Sequence, residues 1–418
     1  MNTLFSGALL SALTLATVGA YPCFKDKAAN PSDVPVLVEL HAAGLTNSAL
    51  KEDSVGLAAS LSKTAPVIDV VFVLDTTGSM EGLIDTAKEK IWSIANTMTS
   101  AQQAPDIRIG LVAYRDRGED YVTQVVDLSD DIDSVYATLM DFEAEGGGDS
   151  PESVNQALLD AINKMSWSQN RQAYQTVFLV GDAEPHMDYP NDTLFPEILA
   201  QAKRKNIIVN AIQCGNETAT TKYWQQIASI GGGRYFLVEQ AGGAIAVVTP
   251  FDEAIANLSV KLDDTRLYYG STEDKARMHD KVVATEKLHR ESSIISRARR
   301  GVFNSTASGK KNQLGDNELV EAVISGSVSL EELEQDDLPK PLQAMKPEEQ
   351  REEIASIAKQ RKELENQIAD LASERNLYLK EKVETDGDTT NSLDQQLYDT
   401  VREQAAKTGL EYKDGPAY

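Results

Sequence analysis

The chain has 418 residues, 65 Asp and Glu against 40 Lys and Arg, a formal net charge of −25 and 41% apolar side chains. Its length allows two or three packed units. The charge excludes nucleic acid and anionic membrane surfaces as partners, since both would be repelled. Residues 1–20, MNTLFSGALLSALTLATVGA, carry no charge and end in small residues, with Val18 and Ala20 where a signal peptidase reads. We read them as a cleaved secretory signal, with a short membrane anchor as the alternative. Export to a periplasmic or extracellular space follows, without stable membrane insertion after cleavage. Residues 21–63 form an extension. Cys23 and Cys214 are the two cysteines. In an oxidising compartment they form either one disulfide or two unrelated thiols, and sequence alone does not decide.

From residue 68 the chain alternates strands and helices. IDVVFVL (68–74), IRIGLVA (107–113), TVFLVG (176–181), IIVNAI (207–212) and RYFLVE (234–239) are near-continuous apolar runs, as in strands covered on both faces. YVTQVVDL (121–128) follows the second run after a short polar turn and reads as an antiparallel edge strand. Leu83, Ile84, Ala87, Ile91, Ile94 and Ala95 recur at helical spacing between the first two runs. Asn155, Ala157, Leu158, Ala161 and Ile162 do so after Pro151, which suits a first helical turn. The expected class is α/β: a doubly wound, mostly parallel sheet flanked by helices.

Three strand ends carry oxygen ligands. VFVLDTTGSM (71–80) presents Asp75 and, at two-residue steps, the hydroxyls of Thr77 and Ser79. EGGGDSPE (145–152) places Asp149 after three glycines, and VFLVGDAEPH (177–186) places Asp182 past an apolar run. In an open parallel sheet such loops converge beyond the carboxyl ends of the strands. Hard oxygens in that array suit a divalent cation. Any one of these aspartates alone would usually be a helix cap, Asp149 before Ser150-Pro151 above all, but three such loops in order are not explained by capping.

This pattern resembles the von Willebrand factor type A domain with its metal-ion-dependent adhesion site, over residues 64–262, and among its members an exported protein of bacterial type. The resemblance implies a cation, Mg²⁺ first and Mn²⁺ or Ca²⁺ as alternatives. Asp75, Thr77, Ser79, Asp149 and Asp182 would hold it directly or through water, with one position open to an acidic side chain of a protein partner. Thr77 stands where the family usually has Ser and keeps the hydroxyl. Asp149 stands where many members carry Thr, so a third carboxylate enters the site. That implies tighter cation retention and less dependence on an acidic partner residue.

The first loop also resembles the aspartyl-phosphate loop of haloacid-dehalogenase-type phosphatases, which would make Asp75 a nucleophile. Thr77 replaces their second aspartate, no lysine stands at a strand end between the loops, and GGGDSPE has no role in that chemistry. The four histidines include no His-Glu-x-x-His pattern, and neither a Gly-x-Ser-x-Gly elbow nor a phosphate loop is present. His186 reads as a loop residue. The expectation is a binding protein, not an enzyme.

Residues 263–339 read as a mixed connector in which the basic cluster RARRG (297–301) is a solvated or intramolecular patch. Residues 340–418 read as helical. From Pro347 to about Lys382, Ile354, Ile357, Leu364, Ile368, Leu371 and Tyr378 fall on a heptad seam interrupted by Arg361 and Arg375. Either a coiled coil that oligomerises the chain or a hairpin with 392–412 fits. In both cases the tail is expected to be separable from the sheet, and an alternative role gives it the partner while the metal only holds the loops.

Overall fold

The computed structural model describes residues 65–82, 84–148, 150–238, 247–385 and 393–412, all within the unit Lys63–Tyr418. The signal reading of 1–20, the extension 21–63, Cys23, Leu83 and Asp149 lie outside the described residues. Among the described residues no helix is long and apolar enough to cross a membrane.

Six strands form the sheet: β1 (Val67–Asp75), β2 (Asp106–Tyr114), β3 (Thr123–Ser129), β4 (Tyr174–Gly181), β5 (Ile207–Cys214) and β6 (Gly232–Val238). Their order is β3-β2-β1-β4-β5-β6, parallel throughout except for the β2–β3 pair. Four of the apolar runs become the central strands β1, β2, β4 and β5, covered on both faces, whereas the run at 234–239, expected to be covered likewise, forms the edge strand β6, where Leu237 is exposed. Along β1, Ile68, Val70, Phe72 and Leu74 enter one core and Val71 and Val73 the other, as the pleat dictates. Strand order reverses between β1 and β4, which opens a crevice at their carboxyl ends.

Helices α1 (Ile84–Thr99) and α2 (Ile132–Met140) cover the first face, and α3 (Val154–Asn163), α4 (Phe195–Arg204) and α5 (Thr218–Ile230) the second. A 3₁₀ turn, Gly78–Met80, precedes the first helix. Helix α3 begins at Val154, so Pro151 is not in its first turn. Instead Glu152 is fixed before the helix by bridging to Pro185, with Glu152 N donating to Glu184 O at 2.9 Å and His186 N to Glu152 O at 3.0 Å.

Beyond the sheet come α6 (Asp252–Asp263), α7 (Thr272–Glu291), α8 (Ile294–Asn304), α9 (Lys310–Leu314), α10 (Leu319–Ile324), α11 (Lys340–Gln343), α12 (Pro347–Thr385) and α13 (Leu393–Ala406). The expected connector is thus largely regular helix; α7 opens on a capping box in which Ser271 and Asp274 bond reciprocally, the device that satisfies orphan amide groups at a helix start. The basic cluster is interior: Arg299 and Arg300 are buried, and Arg300 spans Asp133 on α2 and Asp263 on α6.

The interrupting arginines of the heptad seam are also interior. Arg361 donates to Glu318 at 2.9 Å and to the Thr265 carbonyl at 3.0 Å, and Arg375 Nε donates to Asp252 at 2.7 Å. Ile354 joins a core with Leu319, Val320 and Leu342, while Leu364 and Ile368 pack on Ile255, Leu262 and Ala298. The seam is therefore turned inward on the same chain. Helix α13 lies on α1 and β6, placing Leu397, Val401 and Ala405 in the first-face core. Residues 393–412 are consequently part of the sheet's packing, in contrast to the separable tail expected from periodicity. Periodicity reports that a helix has an apolar face, not what covers it.

Candidate metal centre

Asp75 ends β1 and Asp182 follows β4, the strand paired with it. The turn after β1 curls back on its own aspartate: Thr77 donates to Asp75 Oδ1 from its amide at 3.0 Å and from its hydroxyl at 2.7 Å. Thr77 Oγ1 lies 3.2 Å from Ser79 Oγ, which donates to Asp182 Oδ1 at 2.9 Å. Four oxygens thus form a continuous chain from the buried Asp75 through Thr77 and the exposed Ser79 to Asp182.

The second loop is held over the first by backbone. Gly78 N donates to Gly146 O at 3.2 Å, and Glu145 N to Thr76 O at 3.1 Å. Gly146, at φ +81°, leaves no room for a side chain, since a Cβ would strike the Glu119 carboxylate, which accepts from Gly147 N at 2.5 Å. Arg115, buried at the end of β2, donates to Thr76 O at 3.1 Å and Glu143 O at 3.0 Å while covering the Tyr121 ring at 4.7 Å. One guanidinium therefore ties both loops together.

Electrostatics are strained in favour of a cation. Burial, reinforced by the Asp182 charge, pushes the Asp75 carboxyl up to about 7; the Thr77 bonds temper the rise. Burial also raises Asp182. Asp75 Oδ2 is buried with no hydrogen-bond partner among the described residues. A carboxylate so placed is costly to ionise, and a divalent ion is the compensating charge its surroundings lack. The donor set fits one: two carboxylates and two hydroxyls, all hard oxygens. Among the described residues no group of three or more His, Cys, Asp or Glu side chains stands together as a metal site, which is consistent with a set that depends on hydroxyls.

Beside the centre, His186 stacks on Tyr189 at 3.9 Å and sits between Asp188, 2.8 Å from Nδ1, and Asp116, 3.4 Å from Nε2. Asp116 also accepts from Ser153 at 2.8 Å and from the Tyr189 hydroxyl at 2.5 Å. This network braces the second and third loops, as the reading of His186 as a loop residue requires.

Residues 69–247 match the family model of the von Willebrand factor A domain. The matched stretch is a little under half of the chain. Over 202 residues it is 24% identical to an ariadne-like RING finger protein of Acanthamoeba polyphaga mimivirus, covering 44% of this chain and 19% of that one. The chain thus matches about a fifth of that relative's length. Among solved structures it is similar to proximal thread matrix protein 1 from the mussel byssus, with 16% identity over 42% of each chain and a TM-score of 0.33. It is also similar to a von Willebrand factor type A protein from Catenulispora acidiphila, with 17% identity over 42% of this chain and 39% of that one and a TM-score of 0.32. A further structure of the mussel protein, with a zinc-occupied metal-ion-dependent adhesion motif, has 14% identity over 41% of this chain and 42% of that one and a TM-score of 0.34. Likeness at these identities concerns the fold alone.

Within the matched stretch, Asp75, Thr77, Ser79 and Asp182 come together; Asp149 is outside the described residues. Cys214 is buried at the end of β5, and its pairing with Cys23 lies outside the described residues. Sequence reading missed Tyr114, Arg115 and Glu119. Tyr114 closes β2 in register with Asp75, a position that could have been found by extending the apolar run one residue past Ala113.

Proposed function

We propose that this chain is an exported, metal-dependent protein-binding module. One divalent cation, Mg²⁺ first and Mn²⁺ or Ca²⁺ as alternatives, would be held by Asp75, Thr77, Ser79 and Asp182, directly or through water, with Asp149 as a fifth candidate. The observation that carries this reading is the continuous oxygen chain running from buried Asp75 through exposed Ser79 to Asp182. The cation would supply an electrophilic point at the surface, able to take a carboxylate from a partner protein in an open coordination position. Export is supported by the uncharged, small-residue-terminated stretch 1–20.

Binding is favoured over phosphoryl chemistry by the setting of Asp75. Asp75 is 0% exposed, whereas a nucleophile must reach its substrate. The test is a melting experiment on the full chain with chelator and with added Mg²⁺, Mn²⁺ or Ca²⁺. A ligand that binds only the folded state raises the melting temperature by mass action. The wild type should respond, and Asp75→Ala should not. A partner captured from extracytoplasmic extract should be released by chelator; a wild type indifferent to all three ions would overturn the reading.

A further inference from the structure

We propose that Tyr114 is a positioning residue of the metal centre: its hydroxyl serves as the outer hydrogen-bond donor that orients Asp75 and thereby sets cation affinity. This rests on the metal-binding reading above.

The two residues are paired in register at the adjacent carboxyl ends of β1 and β2, and both are 0% exposed. Each has a buried oxygen without a hydrogen-bond partner among the described residues, Asp75 Oδ2 and the Tyr114 hydroxyl. The two oxygens flank one point. A Cβ placed on Gly181 would run into the Tyr114 hydroxyl and come within 2.9 Å of Asp75 Oδ2. Only a glycine at the end of β4 leaves that space open.

The division of labour within Asp75 follows. Oδ1 belongs to the oxygen chain of Thr77, Ser79 and Asp182, where a cation would sit. Oδ2 lies on the side of the phenol, the two flanking the space above Gly181, although the pair stops short of hydrogen-bond geometry. A phenol is protonated at neutral pH, so toward an anion it acts only as a donor. A ligating carboxylate held by a donor that does not itself touch the metal presents its other oxygen in a fixed direction, and loss of such a donor typically weakens metal binding by about 10- to 100-fold.

Tyr114→Phe keeps the ring in the second-face core, where Tyr114 packs, and removes only the oxygen. Calorimetric titration of the full chain with Mn²⁺ should show the dissociation constant raised about tenfold or more. The melting temperature in chelator should be unchanged or higher, because a buried hydroxyl without a partner is removed at no loss of a bond. A variant that binds Mn²⁺ as tightly as the wild type overturns the inference while leaving the metal centre intact, and so does one that melts lower in chelator with unchanged affinity, the mark of a purely structural tyrosine. Absence of binding by the wild type itself would instead remove the metal reading and this inference with it.

Discussion

Gln404 and Asn210 exchange amide hydrogen bonds across the first face of the sheet: Gln404 Nε2 donates to Asn210 Oδ1 at 2.8 Å, and Asn210 Nδ2 to Gln404 Oε1 at 3.2 Å. The Tyr174 hydroxyl donates to the same Gln404 Oε1 at 2.7 Å. All three side chains are buried. Replacing Gln404 with Leu strands the Tyr174 hydroxyl and part of the Asn210 amide, and leaving buried polar groups unmet costs about 1–3 kcal/mol each. The expected result is a lower urea midpoint with an unchanged slope.

Deleting residues 393–418 should do more. It uncovers the surface that Leu397, Val401, Ala405 and Leu410 cover and leaves Lys90 without Asp394, 2.8 Å away. We expect a lower melting temperature and binding of a hydrophobic dye. A truncated chain that melts like the full one and stays dark would show that α13 is dispensable.

Arg300 is the buried cation between α2, α6 and α8, with 2.6 and 2.7 Å bonds to Asp133 and a 2.8 Å bond to Asp263. Burial alone would raise Asp133, but the Arg300 and Lys281 charges hold it down at about 2, and Asp263 is likewise lowered. Arg300→Leu removes the main countercharge of both carboxylates, leaving Lys281 beside Asp133 and Arg266 and His289 beside Asp263, a loss of up to about 3–5 kcal/mol. A depressed carboxyl pKa stabilises above the unfolded value and that contribution disappears as pH falls through the folded one. The deficit of the variant relative to wild type should therefore be full above pH 4 and shrink toward pH 2, as read from denaturant midpoints.

The Asp75 shift has the opposite sign. Its folded pKa of about 7 stands above the ordinary 3.8, so the folded state binds the extra proton between those values. Stability of the metal-free chain should fall as pH rises through that window and level off above it. Asp75→Asn should flatten the slope in chelator, and saturating Mg²⁺ should reverse it for the wild type, since the cation takes the proton's place. Melting temperatures from pH 4.5 to 8 decide the point; equal slopes for wild type and Asp75→Asn would mean that other groups titrate there.

Much of the sheet was legible because burial on both faces forces unbroken apolar runs, and β1, β2, β4 and β5 follow theirs to within a few residues. The four described candidate residues were legible for a local reason: Asp75, Thr77 and Ser79 share one turn, and Asp182 directly follows an apolar run. The helical region was harder. Arg361 and Arg375 looked like faults in a seam because their partners, Glu318 and Asp252, stand 43 and 123 residues away. Periodicity has no access to such pairings. Tyr114 was passed over for a related reason: its significance lies in what stands on the neighbouring strands.

The bond between Tyr174 and Gln404 joins residues 230 positions apart. During synthesis at roughly 5–20 residues per second, β4 leaves the ribosome well before its covering helix exists. For an interval of roughly ten to fifty seconds the first face of the sheet must wait with its apolar groove open. A nascent chain in that state is a natural client for holding chaperones, and slowing translation between β6 and α13 should raise the fraction lost to aggregation.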